Sequence, residues 1–407
     1  MKKFVFSIGL CLLVSGSMFA QKKNVSTAEK LVKGEKPEFA EAVTLIQAAM
    51  QDPETKNDPK TWYVAGFIEN QQFDAEKMKQ MLGQQPNEEV MYKALGEVLP
   101  YFMVCDSLDN LPDAKGKVKP KFVKDIKSIL RANLNYYING GAYYFDKQDY
   151  PTAYKFFDSY LEIPNLPIFK GEKEPLVSKT DSTYKMIQFY AGVAASQMQQ
   201  PALAIEKYKA LKDADYRGNE VYQCLSSEYL QAGDTVNFIA TLKEGVDKFP
   251  EEKYYLLNLI QQLIASGKNQ DAVTYLESAI QKDPQNAQLY DVMGRLYEES
   301  DPAKAQGYFE KALAIDPNYT DALGNLGRIY FNQAVKIQTE ANAINDNKLY
   351  REELDKAKAL YEKAMPYFEK AHAANPEARE YMVALRGIYY NLNMGDKYEA
   401  IEAKMNQ

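Results

Sequence analysis

The sequence predicts an all-α protein made of stacked helix-turn-helix units, and three observations carry that prediction. First, Pro250, Pro284, Pro317 and Pro376 are spaced by 34, 33 and 59 residues, the last being 34 plus an insertion of 25. A fixed period of this length marks repeats that cannot bury their apolar face alone and stack to do so. Second, the same residue types return between the prolines: Tyr290, Met293, Gly294, Tyr297, Ala305, Phe309 and Ala312 in one unit, then Leu323, Leu326, Gly327, Tyr330, Ala364, Phe368 and Ala371 in the next. Small residues such as Gly294 and Ala305 suit positions where two helices cross closely, and large ones such as Tyr297 and Phe309 fill the gaps. Third, no proline or glycine interrupts Phe331 to Met365, where apolar residues recur at helical spacing.

The elements follow in chain order. Lys2 and Lys3, an apolar run from Phe4 to Val14 and small residues up to Ala20 predict a secretory signal peptide over 1–20. Residues 21–36 are polar and are expected to be a flexible segment. Trp62, Ala65 and Gly66 open a diverged set of helical repeats over 37–133, interrupted from Asn110 to Pro120. Tyr137, Gly141, Tyr144, Ala153 and Phe157 define a repeat at 134–167. A proline-containing, charged stretch predicts a loop at 168–184. The regular array then occupies 185–407. Gly233 and Gly267 stop helices, and Asp301-Pro302 supplies a cap followed by proline at the first helical position. The insertion reads as two helices prolonged into an antiparallel arm at about 332–363, turning at Asn345-Asp346-Asn347, with Pro366 kinking the returning helix.

The stretch from Asn286 to Pro317, with Glu310-Lys311-Ala312-Leu313 leading into Asp316-Pro317, resembles the tetratricopeptide repeat. The resemblance covers most of 37–407 and implies a right-handed superhelical solenoid whose concave face is lined by the first helix of each unit. Phe238 and Gly245 depart from the expected small residues, and Ile260 and Arg386 replace the glycine. Carrying the family's groove positions onto this chain gives Tyr254, Leu257, Asn258, Gln261, Asp291, Arg295, Asp321, Asn325 and Arg328 as a partner-binding groove. Arginines and amides one repeat apart suit an extended peptide, its backbone or a carboxylate. The lysine and asparagine set of the family's carboxylate-clamp subtype is missing. The resemblance thus implies a scaffold that binds a protein or peptide partner in the cell envelope. The alternative is an oligosaccharide or small-ligand binder resembling SusD-type nutrient-uptake components.

Composition narrows the chemistry. The 407 residues are 46% apolar and 26% charged, the composition of a folded chain. A net charge of −7 argues against a nucleic-acid binder, which needs a basic face. His372 is the one histidine and the cysteines number three, too few for a zinc ribbon or a disulfide scaffold. Cys11 lies inside the apolar run after Leu10, a poor context for lipidation. Phosphate-binding glycine loops are missing, and no nucleophile, base and orienting group come together. The expectation is a non-catalytic protein without metal or cofactor. Export across the inner membrane places it in the periplasm, with attachment to the outer membrane left open and no membrane insertion after signal cleavage. Oligomeric state is left open too.

Overall fold

A computed structural model of the protein describes residues 22–406. The signal-peptide expectation and Cys11 fall outside the described residues. The fold is all-α, and the chain divides into two compact units between Thr241 and Leu242.

The first unit opens with helix α1 (22–33), α2 (Phe39–Gln51), α3 (Pro59–Met81) and α4 (Glu88–Asp109). The expectation of a flexible 21–36 is corrected here. Val25, Ala28 and Val32 sit on one face of α1 and are buried with Ala42, Ile46 and Ile68. Glu29 pairs with Lys33 of its own helix at 2.6 Å and ties that helix to α3 through Lys60 at 3.2 Å. Three apolar residues at helical spacing outweigh a polar composition. Two long helices, α3 and α4, make one hairpin of 23 and 22 residues. The helices α5 (Val123–Asp146), α6 (Tyr150–Glu162), α7 (Ser182–Gln197), α8 (Pro201–Leu211) and α9 (Gly218–Gln231) continue the unit. The connection between α6 and α7 contains two short 3-10 turns that bury Ile163, Ile168 and Phe169 in the core. Helix α10 (Thr235–Lys248) spans the division.

The second unit holds α11 (Lys253–Ala265), α12 (Asn269–Lys282), α13 (Ala287–Tyr297), α14 (Pro302–Ile315), α15 (Thr320–Ala341), α16 (Asn347–Ala374), α17 (Arg379–Asn391) and α18 (Gly395–Met405). Helices α15 and α16 are the prolonged pair. Asp346 caps α16 by accepting from the Lys348 and Leu349 amides at 2.8 and 3.0 Å. The helix runs on through Pro366 to Ala374. Gln338 in the prolonged part donates to Asn391 of α17 at 2.9 Å and accepts from the Tyr361 hydroxyl at 3.0 Å.

One contact recurs in the hairpins of both units. A glycine of the first helix lies beneath an aromatic ring of the second. A Cβ at Gly294 would stand 2.5 Å from Phe309, one at Gly192 2.6 Å from Tyr208, and one at Gly327 3.0 Å from Phe368. Gly141 meets Phe157 in the same way, and Gly66 meets Phe102 at 2.5 Å. Glycine costs a helix interior about 1 kcal/mol relative to alanine, so these positions are held by the ring's need for space. Where the sequence departs from glycine, the partner departs too. Buried Ile260 is matched, 16 residues on, by buried Leu276. Arg386 is matched at the same spacing by Glu402, and the two charges stand 4.0 Å apart. In the diverged repeat, Gly245 gives room to the ring of Tyr255 on the next helix.

A second recurrent feature ends the first helix of a hairpin. Gln148, Gln199, Gly233, Gly267 and Asn393 have φ between 56° and 70°. At Gly233, Gly267 and Gln199 the next residue's amide reaches back five residues, as in Asp234 to Tyr229 at 2.9 Å, closing the last turn. Glycine adopts this left-handed conformation freely and glutamine does not.

Two stability predictions follow from these contacts. Gly294→Leu forces Phe309 from its site and is expected to destabilise the protein by about 1–3 kcal/mol in urea unfolding; an unchanged midpoint would contradict the assigned packing. Gln199→Gly relieves a left-handed non-glycine residue and is expected to stabilise by about 0.5–1 kcal/mol; a loss of stability would show that the Gln199 side chain outweighs the backbone.

Candidate functional site

The first helices of three successive hairpins, α13, α15 and α17, frame a cleft of about 540 Å³ in the second unit. Its floor is a polar ladder. Asp291 on α13 is buried and accepts from the Asn325 amide on α15 at 2.8 Å, a pair 34 residues apart. The Asn325 carbonyl accepts from Arg328 at 2.8 Å. Arg328 also grips Glu298 with two hydrogen bonds of 2.8 and 2.7 Å. This two-pronged geometry is the strong form of an arginine–carboxylate pair. One buried acceptor of the ladder is left without a hydrogen bond: the second oxygen of Asp291, Oδ2. Arg295 stands 3.3 Å from it and is itself half exposed. Burial pushes the Asp291 carboxyl above its ordinary range, with Asn325 and Arg295 opposing the shift.

The wall opposite the ladder is aromatic. Tyr381 of α17 lies over Gly324, where a Cβ would approach its ring to 2.7 Å, and packs on Phe368 with ring centres 6.3 Å apart. Phe331 crosses Phe368 edge-on at 6.5 Å. Asp321 and Glu380 line the same cleft, are exposed, and form no ion pair among the described residues.

Five of the groove positions read from sequence, Asp291, Arg295, Asp321, Asn325 and Arg328, therefore line one cleft. Tyr254, Asn258 and Gln261 on α11 do not line it. The Asn258 amide donates to the Tyr254 carbonyl of its own helix at 2.7 Å. Leu257 faces a separate recess of about 370 Å³ with Tyr275 and Leu289. The two arginines, equivalent by spacing, differ in availability: Arg328 is held by Glu298, and Arg295 is the one with its face to solvent. Glu298, Glu380 and Tyr381 were not among the predicted positions. Glu298 carries a legible sign, one helical turn beyond Arg295, but its reach to the next repeat is visible only in three dimensions.

His372 lies near the end of α16 with its Nδ1 buried and unpaired, and burial lowers its pKa. Cys105 and Cys224 are free thiols, and burial pushes Cys105 up to about 12. Among the described residues no helix is long and apolar enough to cross a membrane.

Stacked helical hairpins with a polar ladder between successive first helices define a helical-repeat protein. A tetratricopeptide repeat family model matches residues 296–334. Residues 296–334 thus carry a tetratricopeptide repeat. It is similar to the uncharacterized protein ycf37 of Porphyra purpurea, with 33% identity over 95 residues, covering 22% of this chain and 50% of that one. The chain thus spans half the length of that curated relative. Among solved structures it is similar to a tetratricopeptide-repeat protein of Bacteroides fragilis, at 19% identity and a TM-score of 0.31, over 63% of this chain and 98% of that one. It is also similar to YrrB, a repeat protein with an unusual peptide-binding site, at 18% identity and a TM-score of 0.33, over 50% and 95% of the two chains.

Because its pKa is raised, Asp291 holds a proton in the folded state at pH values where the unfolded chain has released it. Its contribution to stability is full below the ordinary carboxylate range and is lost as pH rises through the folded value. Asp291→Asn keeps the acceptor for Asn325 and puts an amide donor at the unpaired position. The variant's melting temperature is expected to exceed that of wild type by a margin that grows from about pH 4 to 7. A margin independent of pH would contradict the buried-carboxyl assignment.

Proposed function

We propose that the protein is a non-catalytic interaction scaffold of the bacterial cell envelope that docks an extended peptide segment of a protein partner across α13, α15 and α17. One observation carries this reading: the cleft has a pre-formed polar floor, an aromatic wall, and three exposed charged groups, Arg295, Asp321 and Glu380, left over for a ligand. A floor already hydrogen-bonded costs little ordering when a peptide binds, and aromatic walls grip side chains with few degrees of freedom to lose. Arg295 supplies the donor for a partner carbonyl or carboxylate. Arg328 holds the ladder in place. Export to the envelope is supported by the basic and apolar pattern of residues 1–20.

Screening the purified chain against a peptide array tests the reading. Arg295→Ala is expected to weaken the selected peptide by about tenfold; because it also removes the cation beside buried Asp291, retention of the fold is checked by circular dichroism. Unchanged peptide affinity would overturn the assignment of the cleft. Amino-terminal sequencing of the protein from periplasmic extract is expected to begin at Gln21; recovery of the intact chain from cytoplasm alone would overturn the envelope location.

A further inference from the structure

The first unit carries a surface of opposite character to the rest of the chain. Between α4 and α5, residues 110–121 form an arch exposed along its whole length. Both ends are pinned. Buried Asp109 accepts from the backbone amides of Lys121 and Phe122 at the far end. At the tip, Asp113 accepts from the Lys115 and Lys117 amides at 2.8 and 2.9 Å, and the Asp113 amide returns to the Lys117 carbonyl at 2.9 Å. The arch is therefore a built projection.

From it extend Lys115, Lys117, Lys119 and Lys121, and Lys124, Lys127 and Arg131 follow on α5. Lys124, Lys127 and Arg131 line a shallow depression of about 500 Å³ with Glu172. Glu172 engages Lys127 at 3.1 Å and also Arg131. The four arch lysines and Lys124 make no ion pair among the described residues. Seven cations thus stand against Asp113, Asp125 and Glu172, in a chain whose formal charge is −7. Folding gives no reason to collect them: like charges at this density repel. Two apolar side chains, Leu111 at 60% and Val118 at 51% exposure, project among the lysines.

We propose that this arch and the adjoining face of α5 bind the phosphate surface of an anionic phospholipid membrane. The shape selects the occupant. A convex arch cannot enclose a small ligand, which needs a concave site. It can press lysines toward a plane of phosphates, with Leu111 and Val118 entering the interface. Combined basic and apolar residues are the pattern of reversible membrane attachment, and each lysine near such a surface adds to the affinity. This inference is independent of the peptide cleft, which lies in the other unit.

Vesicle co-sedimentation of the full chain tests it, using phosphatidylcholine alone or mixed equally with phosphatidylglycerol. The test variant replaces Lys115, Lys117, Lys119 and Lys121 with serine. A control of equal net charge replaces Lys268, Lys282, Lys336 and Lys348, all exposed and in the second unit. All three proteins carry the same residues 1–20, so that stretch cancels in the comparison. The proposal expects wild type and control to prefer the anionic vesicles. The arch variant should bind them on the order of 1,000-fold more weakly, and Leu111→Ser with Val118→Ser should weaken binding further at fixed salt. Arch-variant binding equal to wild type, or an equal loss in the control, would overturn it. So would release by soluble glycerol phosphate at matched phosphate concentration, which would mark a free-phosphate site, or retention on polyglutamate with none on vesicles, which would mark an acidic protein.

Discussion

A glycine beneath an aromatic ring sets the distance at which the two helices of a hairpin cross, and the rest of each unit is built on that distance. With Gly192, Gly294 or Gly327 at the crossing, the ring of Tyr208, Phe309 or Phe368 lies against bare backbone. The glycine sacrifices helix propensity, and the close packing of a buried ring more than offsets the loss. The position also tolerates other solutions, provided both partners change. Ile260 is matched by Leu276, and Arg386 by the charge of Glu402. What the fold requires is complementarity at one crossing point per hairpin.

That constraint positions the candidate site. Arg295 and Arg328 immediately follow Gly294 and Gly327, so the residues that fix the crossing also fix where each arginine starts. Successive first helices lie close enough for Asn325 to reach Asp291 across 34 residues of sequence, and for Arg328 to reach Glu298. Two arginines with the same sequence address thereby acquire different work. Arg328 finds a carboxylate from the preceding repeat and becomes part of the floor. Arg295 has only the flank of a buried carboxylate and stays open to solvent.

The hairpins from Ser182 onward were legible because glycine, ring and proline recur at a fixed period. The prolonged α15–α16 pair was legible because nothing in 331–365 breaks a helix. The α3–α4 hairpin was not: Gly66 and Phe102 are 36 residues apart, and Gly83, Gly96 and Pro100 lie between them. Helix α1 was missed because three buried apolar residues are a weak signal among four lysines and other polar residues. At the cleft, five positions gathered as the period implied, since it fixes which face a residue occupies. Which side chains would be spent on each other was not legible. Asn258 turns back on its own helix and Asn325 crosses to Asp291, although each lies two residues before the position at which the helices cross.

The account rests on the glycine–ring crossing, and a double-substitution cycle in the first unit tests it most directly. Gly192→Ala would be measured by urea unfolding in wild type and in Tyr208→Leu. The account predicts a reversal of sign. Alanine should destabilise wild type, where its methyl meets the ring, and should be neutral or stabilising by up to about 1 kcal/mol beneath leucine, where helix propensity alone remains. The same effect in both backgrounds would mean that ring and glycine are uncoupled, and would contradict the account.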